Sequence, residues 1–233
     1  PAVRAPAACA APPMAAEPPE KRPRGADAGA GAEASDRVVT LLDYGAGNVQ
    51  SVYNAIASLG YTVRYVETPD DILKASKLVF PGVGAFGSCV AALKVQGYFE
   101  PLRQYLEQDR PFFGICLGMQ TLFEGSEETE GVAGLGVLPG VVRRFPRGGL
   151  AVPHIAWTGV APMLEDAWPL ADPGPRCYFV HSFHVPLPPG GHAPWALACS
   201  AYGERFVCAV RRGNCVATQF HPEKSGAAGL ALL

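Results

Sequence analysis

Between Val38 and Cys116 the chain alternates short apolar runs with stretches of helical periodicity, an order that few folds accommodate. Residues 38–43 (VVTLLD) form an apolar run that stops at YGAGN, after which Val49, Val52, Tyr53, Ile56 and Leu59 recur at helical spacing until Gly60. Residues 61–66 (YTVRYV) alternate as a second strand, and 77–80 (KLVF) form a short buried third. YFEPLRQYLEQ is helical before a fourth strand at 111–116 (PFFGIC). Strands separated by helices predict a parallel sheet covered on both faces. The second half changes character: VVRRF, VPHIAW, CYFVHSFHV, ALACSAY, FVCAVRR and NCVATQF are strand-like runs broken by Gly, Pro and Asn. They predict an antiparallel or mixed extension of the same sheet, and the closing GLALL reads as the first turns of a helix. The predicted class is α/β.

Residues 1–37 differ from all that follows. They are rich in Ala and Pro, without aromatics, and cannot build a core. Arg4 without acids as far as Ala16 resembles a transit peptide, whereas Glu17, Glu20, Asp27 and Glu33 suit a plain disordered leader. With 19 Lys+Arg against 21 Asp+Glu there is no basic footprint for nucleic acid, and no apolar run approaches the roughly 18 residues of a membrane span. The odd number of cysteines, without a CxxC, predicts free thiols in a reducing compartment. No metal or cofactor is predicted. His181 and His184 lack metal-ligand spacing, and Gln50 replaces the third glycine of a dinucleotide loop in DYGAGNVQ.

Three strand ends carry candidate chemistry. In FGICLGMQ an apolar strand runs into Cys116, with Gly114 and Gly118 on either side and a helix, LGMQTLFE, beyond. That is a nucleophile elbow with sulfur in place of oxygen, and the Leu117 N–H would face an oxyanion. ATQFHPEKS places His221 and Glu223 two residues apart on one side of an extended segment, the base and orienting group a thiolate needs. PGVGAFG, with Gly82, Gly84 and Gly87, is flexible enough to turn peptide N–H groups toward a substrate at the same carboxyl edge.

CLGMQ, PGVGAFG and QFHPEKS together resemble the class I glutamine amidotransferases, whose fold is flavodoxin-like. DYGAGNVQSVYNAI, PHIAW and YFVHS resemble in particular the glutaminase part of imidazole glycerol phosphate synthases, from about Val38 to the end. The resemblance implies a Cys116, His221, Glu223 triad that hydrolyses L-glutamine to glutamate and ammonia. It implies an oxyanion hole at Val83, Gly84 and Leu117, and a glutamine pocket formed by Gly82, Gln120, Glu128, His181, Ser182 and Phe183. Asn48, Trp157, Tyr178 and Lys224 match positions that meet a cyclase (β/α)8 barrel. That barrel uses the ammonia to form imidazole glycerol phosphate and an aminoimidazole carboxamide ribonucleotide in histidine biosynthesis. In the family the glutaminase stays nearly idle until the cyclase binds its ligand, when the oxyanion loop reorganises.

Asn48 also reads as a helix cap, Trp157 and Tyr178 as core aromatics, and Glu128 as part of a solvated acidic loop. The family's PHxGWN is PHIAWT here, so Ala156 and Thr158 depart from it. The expected organisation is a leader at 1–37 and an amidotransferase domain at 38–233, with the last helix cut short and the cyclase absent. This matches the first part of a bifunctional plant, algal or fungal chain, plastid-located or else cytoplasmic. The alternatives are another class I amidotransferase, a cysteine hydrolase of the same general fold, or a non-catalytic fragment that binds a cyclase.

Overall fold

A computed structural model describes residues 37–146, 148–164, 174–187, 189–191 and 193–233. Apart from Arg37, the leader lies outside the described residues. The predicted alternation forms β1 (Val38–Leu41), α1 (Val49–Ser58), β2 (Thr62–Tyr65), α2 (Pro69–Lys74), β3 (Leu78–Gly82), α3 (Phe86–Val95), α4 (Phe99–Glu107), β4 (Phe112–Cys116) and the short α5 (Leu117–Gln120). Strands β2, β1, β3 and β4 are adjacent in that order and all parallel. On one face, Val49, Val52 and Ile56 of α1 pack on Leu41, Val79 and Ile115. On the other, Phe86, Val90 and Leu93 of α3 and Leu102 and Tyr105 of α4 cover Leu78, Phe80 and Phe112. Burying both faces explains why the inner strands β3 and β4 are apolar throughout, whereas β2 at the edge alternates and is largely exposed.

The second half adds β5 (Gly125–Ser126), β6 (Val141–Arg144), β7 (His154–Gly159), β8 (Ala161–Pro162), β9 (Arg176–His181), β10 (Phe183–Pro186), β11 (Ala196–Tyr202), β12 (Glu204–Arg212), β13 (Cys215–Thr218) and α6 (Gly226–Leu230). The chain doubles back so that β13 lies parallel to β4, with Thr218 opposite Ile115. From β13 outward, β12, β10 and β6 extend the sheet with antiparallel pairings. The position of β13 matters for function because the loop after it opens at the edge where β4 ends.

Three features depart from expectation. Helices α2 and α3 were not anticipated; α3 buries Phe86, Cys89, Val90 and Leu93 and begins inside the glycine-rich stretch. The helix after Cys116 stops at Gln120 instead of continuing through Glu124, because the carbonyls of Thr121 and Phe123 accept bonds from Leu135 and Gly136 in a crossing loop. Strands β7 and β9 do not extend the main sheet but form a ribbon of their own, with His154 opposite His181 and Trp157 opposite Tyr178.

Beneath that ribbon lies an aromatic cluster built on Phe145, Phe179, Tyr202 and Phe206 around three buried histidines. His184 stacks on Phe145 at 4.3 Å between ring centroids and His154 stacks on Tyr202 at 4.0 Å. Burial pushes His154 down to about 4, His181 to about 3 and His184 to about 4. All three are neutral at pH 7, where an exposed imidazole would already begin to charge. Since the folded values lie below the unfolded ones, the unfolded chain binds more protons in between. The stability these rings contribute is therefore complete above pH about 6.5 and is lost as pH falls toward 4. The urea midpoint is expected to drop between pH 7.5 and pH 5.0, and equal midpoints would show the rings to be solvated or charged in the fold.

Candidate active site

Cys116 ends β4 with φ +55°, a left-handed conformation that costs a non-glycine residue on the order of 1–3 kcal/mol. Its neighbourhood explains how the turn is held. A Cβ on Gly118 would run into the carbonyl oxygen of Phe80, so only glycine lets α5 start this close to β3. Burial of Leu117, Met119 and Gln120 fixes the other side of the turn. The elbow thus projects the thiol at the carboxyl edge, as the sequence predicts.

The loop after β13 delivers the partners. His221 Nδ1 lies 2.9 Å from Glu223 Oε1, with the two side chains 4% and 3% exposed. A carboxylate accepts, so Nδ1 carries the proton and Nε2 is left for Cys116. Nε2 and Glu223 Oε2 are both buried without a hydrogen-bond partner among the described residues. Burial alone would push the imidazole down, but the interactions with Cys116 and with Glu223 outweigh it and raise His221 well above its ordinary value. The ring therefore takes up a proton readily when the sulfur beside it becomes charged. The loop's backbone is tied to the ribbon: His221 N donates to Tyr178 O at 2.9 Å, and Ser225 Oγ donates to His221 O at 2.6 Å while accepting from Tyr178 N at 3.0 Å. The other described cysteines are unlike Cys116 in setting. Burial pushes Cys89 and Cys215 up to about 12 and Cys177 to about 11.

Cys116 and His221 open on a cavity of about 340 Å³, lined also by Val83, Gly84, Leu117, Gln120, Glu128, His181, Ser182, Phe183 and Lys224. Of the expected pocket residues, Gly82 is misplaced. It pairs with Cys116 beneath Leu117, whose Cβ would be 2.9 Å from a Gly82 Cβ, and it borders a separate small cleft with Asn48 and Val49. Glu128 is no free loop acid, since its Oε2 accepts from Phe86 N at 2.7 Å and closes the start of α3.

The expected oxyanion donor at Val83 is engaged elsewhere. Its N–H donates to the Tyr44 hydroxyl at 3.1 Å, and that hydroxyl donates to Val83 O at 2.6 Å. Burial keeps Tyr44 protonated well beyond the usual phenol range, so it can play both parts. Among the expected interface residues, Asn48 caps α1 by accepting from Ser51 N at 3.3 Å. Trp157 is not a core aromatic: it is 46% exposed beside the still more exposed Ile155, with Tyr178 at 6.3 Å and Lys224 Nζ 5.7 Å from the Tyr178 ring.

Sequence reasoning missed Tyr44, His154, Gln219 and Ser225. Gln219 was within reach, because it stands two residues before His221 and so shares its side of the extended segment. The others each depend on at least one partner far away in sequence: Val83 for Tyr44, His181 for His154 and Tyr178 for Ser225.

Comparison with known proteins places the chain. The family model "Glutamine amidotransferase class-I" matches residues 40–231. Imidazole glycerol phosphate synthase hisHF, chloroplastic, of Arabidopsis thaliana is 51% identical over 201 residues, covering 85% of this chain and 34% of that protein. The hisHF of Schizosaccharomyces pombe is 45% identical over 204 residues, covering 84% of this chain and 37% of that protein. The chain thus spans about a third of the length of these relatives. By contrast it covers 97% of the Imidazole glycerol phosphate synthase subunit HisH of Syntrophotalea carbinolica, at 42% identity over 207 residues and 84% of this chain. Among solved structures, a glutamine amidotransferase superposes with TM-score 0.64 at 20% identity, covering 84% of this chain and 99% of that one. PurLQS from Thermotoga maritima gives 0.63 at 17%, covering 84% and 94%. These two likenesses concern the fold, and they agree with the expected α/β class. The chain belongs to the class I glutamine amidotransferase family, among the relatives that include the HisH subunits of imidazole glycerol phosphate synthase.

Proposed function

We propose that this domain is a glutaminase that hydrolyses L-glutamine to glutamate and ammonia, and that it supplies the ammonia to a cyclase. The observation that carries the reading is a strained cysteine whose thiol shares a cavity with a buried His221–Glu223 pair. Cys116 attacks the side-chain amide carbon of glutamine as its proton passes to His221 Nε2, and Glu223 holds the imidazolium in place. The negative oxygen of the tetrahedral intermediate is met by peptide N–H groups, that of Leu117 first. Collapse breaks the C–N bond, the His221 proton goes to the leaving nitrogen, and ammonia departs from a glutamyl thioester. Water, deprotonated by His221, then attacks the thioester carbonyl and releases glutamate and the thiol. Gln120, Glu128 and the backbone of His181, Ser182 and Phe183 hold the amino-acid end of glutamine. A cysteine hydrolase acting on another substrate would keep the same elbow, but the relatives are named as synthases of imidazole glycerol phosphate.

On that reading the ammonia meets a phosphoribulosyl formimino aminoimidazole carboxamide nucleotide on the cyclase, in histidine biosynthesis. The apolar face of the ribbon at Ile155, Trp157 and Tyr178, with Lys224 and Asn48 beside it, is the docking surface for that barrel. The chloroplastic relative and the Ala/Pro-rich leader together support a plastid location. Import of a tagged chain with and without residues 1–37 tests it, and equal import would sink the idea. The described helices include none long and apolar enough to cross a membrane.

Cys116→Ala is expected to lower glutamine hydrolysis by at least about 10³-fold. Wild-type turnover is expected to rise when the cyclase and its nucleotide are added. Retained hydrolysis in the variant would refute the nucleophile, and a lack of stimulation would refute the partner. Tyr44→Phe removes both hydrogen bonds to Val83 and frees its N–H. Glutaminase turnover without the cyclase should then increase several-fold, and an unchanged rate would mean that Tyr44 does not restrain the loop.

A further inference from the structure

Gln219 has no part in the scheme above, yet it is fully buried and its amide nitrogen lies 3.5 Å from the Cys116 sulfur. A chain of hydrogen bonds leads to it from the ribbon. Thr158 Oγ1 is 2.8 Å from His154 Nε2, His154 Nδ1 is 3.2 Å from His181 Nε2, and His181 Nδ1 is 2.8 Å from the carbonyl oxygen of Phe183. Gln120 Nε2 donates to the same oxygen at 3.0 Å and to Gln219 Oε1 at 2.9 Å.

One group fixes the direction of every link. A carbonyl oxygen only accepts, so His181 must carry its proton on Nδ1. Its Nε2 is then an acceptor, which requires His154 to hold its own proton on Nδ1 and leaves His154 Nε2 to accept from the Thr158 hydroxyl. The aromatic cage keeps both rings neutral, so neither has a second proton to offer. On the other branch the same carbonyl orients the Gln120 amide nitrogen inward. Gln219 must meet that nitrogen with its oxygen, which turns its own NH2 group toward the sulfur.

We propose that Gln219 positions the Cys116 nucleophile and stabilises negative charge developing on its sulfur, with its amide orientation set through Gln120 by the Phe183 carbonyl, the same oxygen that fixes the tautomers of His181 and His154. A hydrogen bond to an ionised acceptor is roughly twice as strong as one to a neutral acceptor, so an N–H aimed at sulfur stabilises the charged form selectively. Gln219 carries no charge and lies behind the cavity onto which Cys116 opens together with Glu128, His181, His221 and Lys224. The use made of the thiolate rests on the glutaminase reading, whereas the chain of hydrogen bonds does not.

Imidazole 15N NMR of the full chain at pH 7.5 is expected to find both His154 and His181 protonated on Nδ1. Iodoacetamide labelling of Cys116, followed by mass spectrometry, is expected to slow about tenfold in Gln219→Leu. In Gln219→Met, which keeps the length of the side chain but has no N–H to aim at the sulfur, it should slow by a similar factor. A proton on Nε2 of either ring, or an unchanged labelling rate in a folded Gln219→Leu, overturns the proposal. If Gln219→Leu does not fold, the tautomers and Gln219→Met decide. Labelling and tautomers as expected without glutamine hydrolysis would sink the glutaminase reading alone, and hydrolysis with unchanged labelling would sink this inference alone.

Discussion

The approach of Gly118 to the carbonyl of Phe80, where no side chain fits, sets the position of the remaining site. It lets the chain turn from β4 into α5 within one residue and forces Cys116 into its left-handed conformation. The strain is sustained because both sides of the turn are over-determined: β4 is paired on both edges, by β3 and β13, and α5 is buried. The same parallel pairing brings the His221 loop alongside, since β13 and β4 run in register and end at the same edge. Cys116 and His221, 105 positions apart in sequence, are thus brought to one edge by ordinary sheet hydrogen bonds.

The first half of the fold was legible because its strands and helices differ in hydrophobic period, and the elbow was legible because paired glycines around a cysteine at a strand end have few other uses. The stretch that became α3 was hidden by Gly82 and Gly84 just before it, by Gly87 in its first turn, and by being apolar on more than one side. The independence of the β7–β9 ribbon could not be read at all. Alternation gives a strand's faces but not its partners, and nothing in PHIAW says that it pairs with YFVHS rather than with the larger sheet. At the site, residue types with one dominant chemistry, Cys116, His221 and Glu223, were recognisable. Tyr44 and His154 take their roles from contacts with Val83 and with Thr158 and His181, which local sequence does not specify.

Electrostatics divides the buried histidines into two populations. His154 and His181 are surrounded by aromatic faces, and His184 stacks on Phe145 with the half-exposed Glu204 carboxylate at 3.2 Å from its Nε2; burial keeps all three neutral. His221 is equally buried but stands between a carboxylate and a thiol, and its proton affinity moves the opposite way. The difference is the identity of the neighbours, because burial lowers all four. This separation allows an imidazole chemistry of proton transfer and an imidazole chemistry of fixed dipoles to coexist within one small region.

The Phe183 carbonyl accepts from His181 on one side and from Gln120 on the other. A single oxygen with two donors makes the ribbon and the pocket floor answerable to each other. Substitutions on the two branches cannot be expected to combine as independent events, since each alters the acceptor that the other depends on. A change at Thr158, whose hydroxyl ends the ribbon branch on His154, is then best judged together with the interior that surrounds it.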